Sequence, residues 1–144
     1  MHALEFRVPL FHEGLNVTVR LGEKYFHTLD AGDRILLSSR DARPQCRRAE
    51  LIDVRMRVVS TIPNVWLKYE HDPACRTPDG LLEELKQVYG RDSVTSDSWV
   101  TLILFVPDPL PINWTQPVCP VPNFPEYPTP PFPGFPTWQA CNGR

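Results

Sequence analysis

Residues 49–60 read AELIDVRMRVVS, the longest alternating run in the chain, with a side chain pointing to each face in turn as in a strand. Ile52, Val54, Met56 and Val58 fall on one face and are expected in the core. Asp53, Arg55 and Arg57 fall on the other, toward solvent or a partner. Before this run, residues 41–48 (DARPQCRR) form a polar hairpin loop, and residues 30–33 (DAGD) give a tight-turn signal that opens into a strand at Arg34-Ile35-Leu36-Leu37.

Further out, NVTVRL (residues 16–21) is rich in β-branched residues and reads as a half-buried strand. LEFRV (residues 4–8) reads as a first strand, followed by Pro9 and a short helical turn ending at Gly14. Downstream, Asp79 is placed to cap a helix from Gly80 to Tyr89. Its Leu81, Leu82, Leu85, Val88 and Tyr89 make one buried stripe, and Gly90 stops it. WVTLILFV (residues 99–106) is almost continuously apolar and is expected as a closing strand buried on both faces. The expected fold is mostly β (α+β): a small, partly closed β-barrel with one packed amphipathic helix.

The chain of 144 residues has room for one folded body, expected over residues 1–106. Residues 107–144 differ in kind, because twelve of the 17 prolines lie there beside only three charges, Asp108, Glu126 and Arg144. Six large aromatics, Trp114, Phe124, Tyr127, Phe132, Phe135 and Trp138, punctuate this arm. Proline favours an extended backbone and the rings supply anchors, so the arm is expected to dock on a protein partner or on the barrel itself. A virion or ribonucleoprotein assembly is one such setting.

The net charge of -2 and pI of about 6.1 give no global field for nucleic acid, so any binding must be local. Such a patch exists: Arg34, Arg40, Arg43, Arg47, Arg48, Arg55 and Arg57 lie among only four carboxylates. Arginine pairs with phosphate and stacks on bases, which makes RNA the expected partner; a solvated hairpin laced with ion pairs gives the same pattern. Arg20, beside Thr18 on the polar face of its strand, is a candidate anchor within the barrel cleft, with Tyr25, Phe26 and His27 as stacking surfaces.

The opening residues carry Glu5 and Arg7 and offer no signal-peptide core, and no apolar run is long enough to span a membrane. A cytoplasmic protein with no membrane partner is expected. Cys46, Cys75, Cys119 and Cys141 form no C-x-x-C pair and are expected as reduced thiols. His71 and Cys75 could share a helical face, but Pro73 stands between them, so neither a metal nor a cofactor is expected.

NVTVRLG, AGDRILL ten residues on, AELIDVRMRVV, GLLEELKQVYG and WVTLILF together resemble the ASCH domain, a PUA-like fold, over about residues 3–106. Thr18 with Arg20, and Gly32 with Asp33, carry the resemblance most specifically. The stretch HDPACRTPDGLLEELKQVYG is similar to ASCH proteins of bacteriophages and actinobacteria, which implies a bacterial cytoplasm or a phage particle. The resemblance implies RNA binding or, in one branch, hydrolysis of a modified nucleoside such as N-acetylated cytidine.

That branch carries a G-x-K-x-x-T-x-R motif in which the lysine assists a threonine nucleophile and a later glutamate completes the site. Thr18 and Arg20 fit it, but Leu15 stands where the lysine belongs and Glu13 where the glycine belongs; aligning Gly14 instead places Asn16 nearest the lysine. A threonine hydroxyl is a poor nucleophile without a base, so catalysis is not the leading expectation. Lys24 from the next loop is the substitute candidate, and Glu70 or Asp72 the candidate glutamate.

Overall fold

A computed structural model describes residues 2–39 and 47–109. Residues 40–46 of the hairpin loop, including Arg40 and Arg43, and all six arm aromatics lie outside them. Five strands, β1 (His2–Phe6), β2 (Asn16–Leu21), β3 (Arg34–Ser39), β4 (Arg47–Val58) and β5 (Trp99–Pro107), form one mixed sheet in the order β1-β3-β4-β5-β2. Only β1 and β3 run parallel. The sheet does not close, and with three helices, α1 (Lys24–Thr28), α2 (Asn64–Leu67) and α3 (Pro78–Tyr89), it fits a small, partly open barrel.

β5 lies inside the sheet, between β4 and β2, and is buried on both faces, as its almost continuously apolar sequence predicts. Val100, Leu102 and Leu104 face a core completed by β2, α2 and α3. Ile103 and Phe105 face a second core with Leu4, Phe6, Ile35, Leu37 and Leu51. At about 25 cal/mol per Å² of apolar surface, these two layers are the main source of stability.

The alternation expected along residues 49–60 breaks within β4. Leu51 pairs with Phe105 and Asp53 with Leu104, so Ile52 is an extra residue, a β-bulge that shifts the later side chains to the opposite face. Asp53 is therefore buried rather than solvated, and Ile52, Met56 and Val58 are only half-buried. The bulge is tied to the turn before β3. Gly32, at φ +90°, donates its N–H to Leu51 O, and Asp33 O accepts from Leu51 N–H, both at 2.8 Å. A side chain at residue 32 would be strained in that left-handed conformation.

α3 begins two residues earlier than the capping pattern predicts. Thr77, not Asp79, is the cap: its Oγ1 accepts from Gly80 N–H at 3.1 Å, and Pro78 follows at the first helical position. Gly80 is needed for packing, since a Cβ there would lie 2.1 Å from Ala74 O. Leu81 and Leu85 are buried as expected, but Val88 and Tyr89 are exposed and line a cavity. Residues 9–14 form no helical turn, whereas residues 24–28, expected as loop, form α1.

Candidate functional site

Thr18 and Arg20 lie two apart on β2, so both point to the same face. The edge of β2 is then covered by a distant segment. Val17 donates its N–H to Tyr69 O at 2.8 Å and its carbonyl accepts from His71 N–H at 2.9 Å, which pairs Val17 with Glu70 as a parallel bridge. His12 and Asn16 brace this junction: a ring nitrogen of His12 lies 3.2 Å from Tyr69 O, and the Asn16 amide donates to His12 O at 2.8 Å.

Between β2, the end of β1, the Glu70–Cys75 segment and α3 lies a cavity of about 420 Å³. Thr18, Arg20, Glu70, His71, Phe6 and Tyr25 all line it. Arg7, at the end of β1, and Glu84 of α3 form an ion pair in its wall. A cavity of this size accommodates a nucleoside-sized ligand.

The Arg20 guanidinium sits over the Phe6 ring at 4.7 Å and the Tyr25 ring at 5.8 Å, and its Nε donates to Thr18 Oγ1 at 3.4 Å. Its terminal nitrogens form no ion pair with a carboxylate among the described residues. Thr18 itself is buried, not an outward-facing strand residue.

Burial pushes the Glu70 carboxyl well above the carboxylate range. The Asp72 charge adds to this, while the Asp72 N–H and the cations of Arg20 and Arg76 oppose it. Glu70 Oε1 lies 3.2 Å from His71 Nε2, and Oε2 has no hydrogen-bond partner. Burial also lowers His71 from its ordinary 6.5 to about 3. Next to them, Asp72 Oδ1 caps the turn by accepting from Ala74 N–H at 3.0 Å. Burial raises the Cys75 thiol, which makes it an inert neighbour of Asp72 and not an activated nucleophile.

No family model matches the chain and no curated protein does. Among solved structures, the high-resolution crystal structure of an ASCH domain from Lactobacillus crispatus JV V101 aligns with a TM-score of 0.50 at 12% identity, covering 64% of this chain and 63% of that one. The fold is of the ASCH type. The chain thus spans under two thirds of the length of that ASCH domain structure.

The ASCH fold brings Thr18, Arg20 and Glu70 to one cavity, but no lysine lines it. Leu15 is a core residue and Asn16 a buried brace of the preceding loop. Lys24 opens α1, is exposed, and holds its ammonium 5.6 Å from the Tyr25 ring centroid.

The arginines of the ASCH sheet are spread over several environments. Arg55 Nε donates to Asp53 Oδ2 at 2.7 Å, and Arg57 lies over the Trp66 ring at 5.0 Å. Arg47 Nε donates to Asp108 O at 2.7 Å, and Arg34 pairs with the Asp108 carboxylate. Arg48, opposite Leu36, is exposed. His71 and Cys75, weighed above as metal ligands, hold separate partners, and no group of three or more suitable ligands occurs among the described residues. No helix among them is long and apolar enough to cross a membrane.

Sequence alone missed the coupling of His71 to Glu70. The only available signal was the run Glu70-His71-Asp72, three ionisable residues placed between Tyr69 and Pro73 where a turn must bury some of them.

Proposed function

We propose that the chain is an RNA-binding module of the ASCH fold whose cavity receives one unpaired base or nucleoside, and whose proline-rich arm docks on a protein partner. The observation that carries this is Arg20: a guanidinium over the Phe6 and Tyr25 rings, with terminal donors unclaimed, inside a cavity of nucleoside size. Unpaired RNA bases are recognised by stacking and by hydrogen bonds to their edges, and this cavity supplies both. Arg47, Arg48, Arg55 and Arg57 would contribute phosphate contacts outside it.

Fluorescence anisotropy with an RNA hairpin bearing an unpaired loop, against the same stem closed as a duplex, tests this proposal. The loop should bind better, Arg20→Gln should remove that preference, and Arg48→Gln should reduce affinity for both RNAs while flattening the salt dependence. Equal binding of both RNAs by the wild type and by Arg20→Gln would exclude the cavity as the site.

The burial of Thr18 beside Arg20 and Glu70 favours a second reading, a hydrolase acting on a modified nucleoside such as N-acetylated cytidine. Without a lysine in the cavity, turnover should be very slow or undetectable. Robust hydrolysis abolished by Thr18→Ala would put this reading first.

A further inference from the structure

Three groups beside the cavity lie in a row: the Leu10 carbonyl, hydrogen-bonded to the His71 ring, and the Glu70 carboxyl on the ring's far side. A carbonyl oxygen can only accept, so His71 Nδ1, 3.0 Å from Leu10 O, carries a proton. In the neutral ring, Nε2 is then an acceptor, and Glu70 Oε1 lies 3.2 Å from it. A carboxylate would set lone pair against lone pair at that contact, whereas the acid form donates across it.

Phe6 meets the His71 ring edge-on at 4.9 Å and Phe11 lies 5.5 Å away, so the ring is fixed in an apolar setting that disfavours the imidazolium. The charges around the pair are divided: Arg20 and Arg76 favour a Glu70 carboxylate, and Asp72 disfavours it. His12 and the same two arginines disfavour a charged His71. The proton therefore rests on Glu70 Oε1. Oε2 is left as a carbonyl-type acceptor, buried and without a partner.

We propose that His71 is the positioning residue of this cavity: by accepting a hydrogen bond from the Oε1 hydroxyl it keeps Glu70 neutral, and leaves Oε2 as a fixed acceptor for an N–H of the ligand beside the Arg20 donors. This rests on the cavity being the ligand site. The ligand class is a planar group that shows an N–H next to a carbonyl or ring-nitrogen acceptor, as the edge of an unpaired base does. A neutral Glu70 also leaves the Arg20 charge uncancelled for that acceptor.

Nuclear magnetic resonance of protein labelled with 13C at glutamate Cδ and 15N in the histidine rings reads both groups without any ligand. At neutral pH the wild type should show a protonated Glu70 carboxyl and a His71 ring with Nδ1 protonated and Nε2 bare. His71→Gln, whose amide oxygen can stand near Nε2, should keep Glu70 protonated. His71→Asn, whose amide reaches only the Leu10 side, should let the carboxylate form at lower pH. Addition of the loop hairpin RNA should shift the Glu70 resonance. A Glu70 carboxylate or a His71 imidazolium in the wild type at neutral pH overturns the assignment, as does identical Glu70 titration in both variants. The wild-type spectrum decides even if a variant does not fold. Because it needs no RNA, it stands apart from a failure of RNA binding; a correct spectrum with a Glu70 resonance unmoved by bound RNA overturns the ligand-facing role of Oε2.

Discussion

Val17 and Glu70 lie side by side as paired neighbours, although 52 residues separate them in the chain. That single bridge, closed by Val17 N–H to Tyr69 O and His71 N–H to Val17 O, sets the Glu70–His71 pair against the strand that carries Thr18 and Arg20. The site is thus a property of the sheet edge, and changes to either partner should be read there first.

The Glu70–His71 pair has an unusual signature in pH-dependent stability. His71 is held below its ordinary 6.5, at about 3, so its contribution is complete above pH 6.5 and is lost as pH falls toward 3. Glu70 is held above its ordinary 4.5, so its contribution is complete below pH 4.5 and is lost as pH rises. Above pH 4.5 and below pH 6.5 the two slopes oppose each other. Glu70→Gln, whose amide can still donate to His71, removes one slope. It should melt higher than the wild type at neutral pH and lose that advantage as the solution is acidified, a crossing visible in thermal melts across the range.

Asp53 holds two donors just after the β4 bulge. Its Oδ1 accepts from Val54 N–H at 2.8 Å and its Oδ2 from Arg55 Nε at 2.7 Å, in a side chain only 2% exposed. Asp53→Ala removes the acceptor of both bonds and should cost about 2–4 kcal/mol in urea denaturation. Asp53→Asn, which keeps the Val54 bond, should cost less than half as much.

Arg20→Lys should not restore the wild-type loop preference for RNA. An ammonium lacks the planar group that lies over the Phe6 and Tyr25 rings and the fork that would meet a base edge. Anisotropy should show a loss of about tenfold, the equivalent of one charge-assisted hydrogen bond at about 1.4 kcal/mol.

β5 runs one residue past Val106, where the folded body was expected to end. Pro107 still pairs with Ala49, and Asp108 is held by Arg34, by Arg47 and through its N–H by Arg48 O at 2.9 Å. A chain cut after Pro109 should keep these contacts, whereas one cut after Val106 should melt lower by about 5 °C, the shift expected for about 1 kcal/mol in a domain of this size. If the arm also clamps the barrel, both forms will melt below the full chain; if it serves a partner, only co-purification will change for the longer one.

The strands and the long helix were legible because each carries its own period, and β5 because a strand buried on both faces needs no alternation. The faces of β4 were not. Leu51 and Asp53, two apart, lie on opposite faces because Ile52 is an extra residue, and that extra residue is fixed by Gly32 and by the register of β5, which no local pattern contains. Thr18 and Arg20 stood out as a pair on one strand face, whereas Glu70 joined them through a bridge between distant segments. The missing lysine was visible in sequence; the orphan oxygen of Glu70 was not, since a hydrogen-bond deficit exists only in three dimensions.

The place of β5 between β4 and β2 dictates an order of events in folding. It is the last strand of the described residues, yet it alone joins β2 to the β1-β3-β4 group and contributes side chains to both cores. A chain made from its N-terminus therefore carries two unjoined parts until residues 99–107 are present, and their arrival closes both layers in one step. Such distant pairing makes for slow assembly and few stable halfway forms, so lesions in β5 should show themselves as failed maturation of the newly made chain sooner than as a lowered melting point of the finished one.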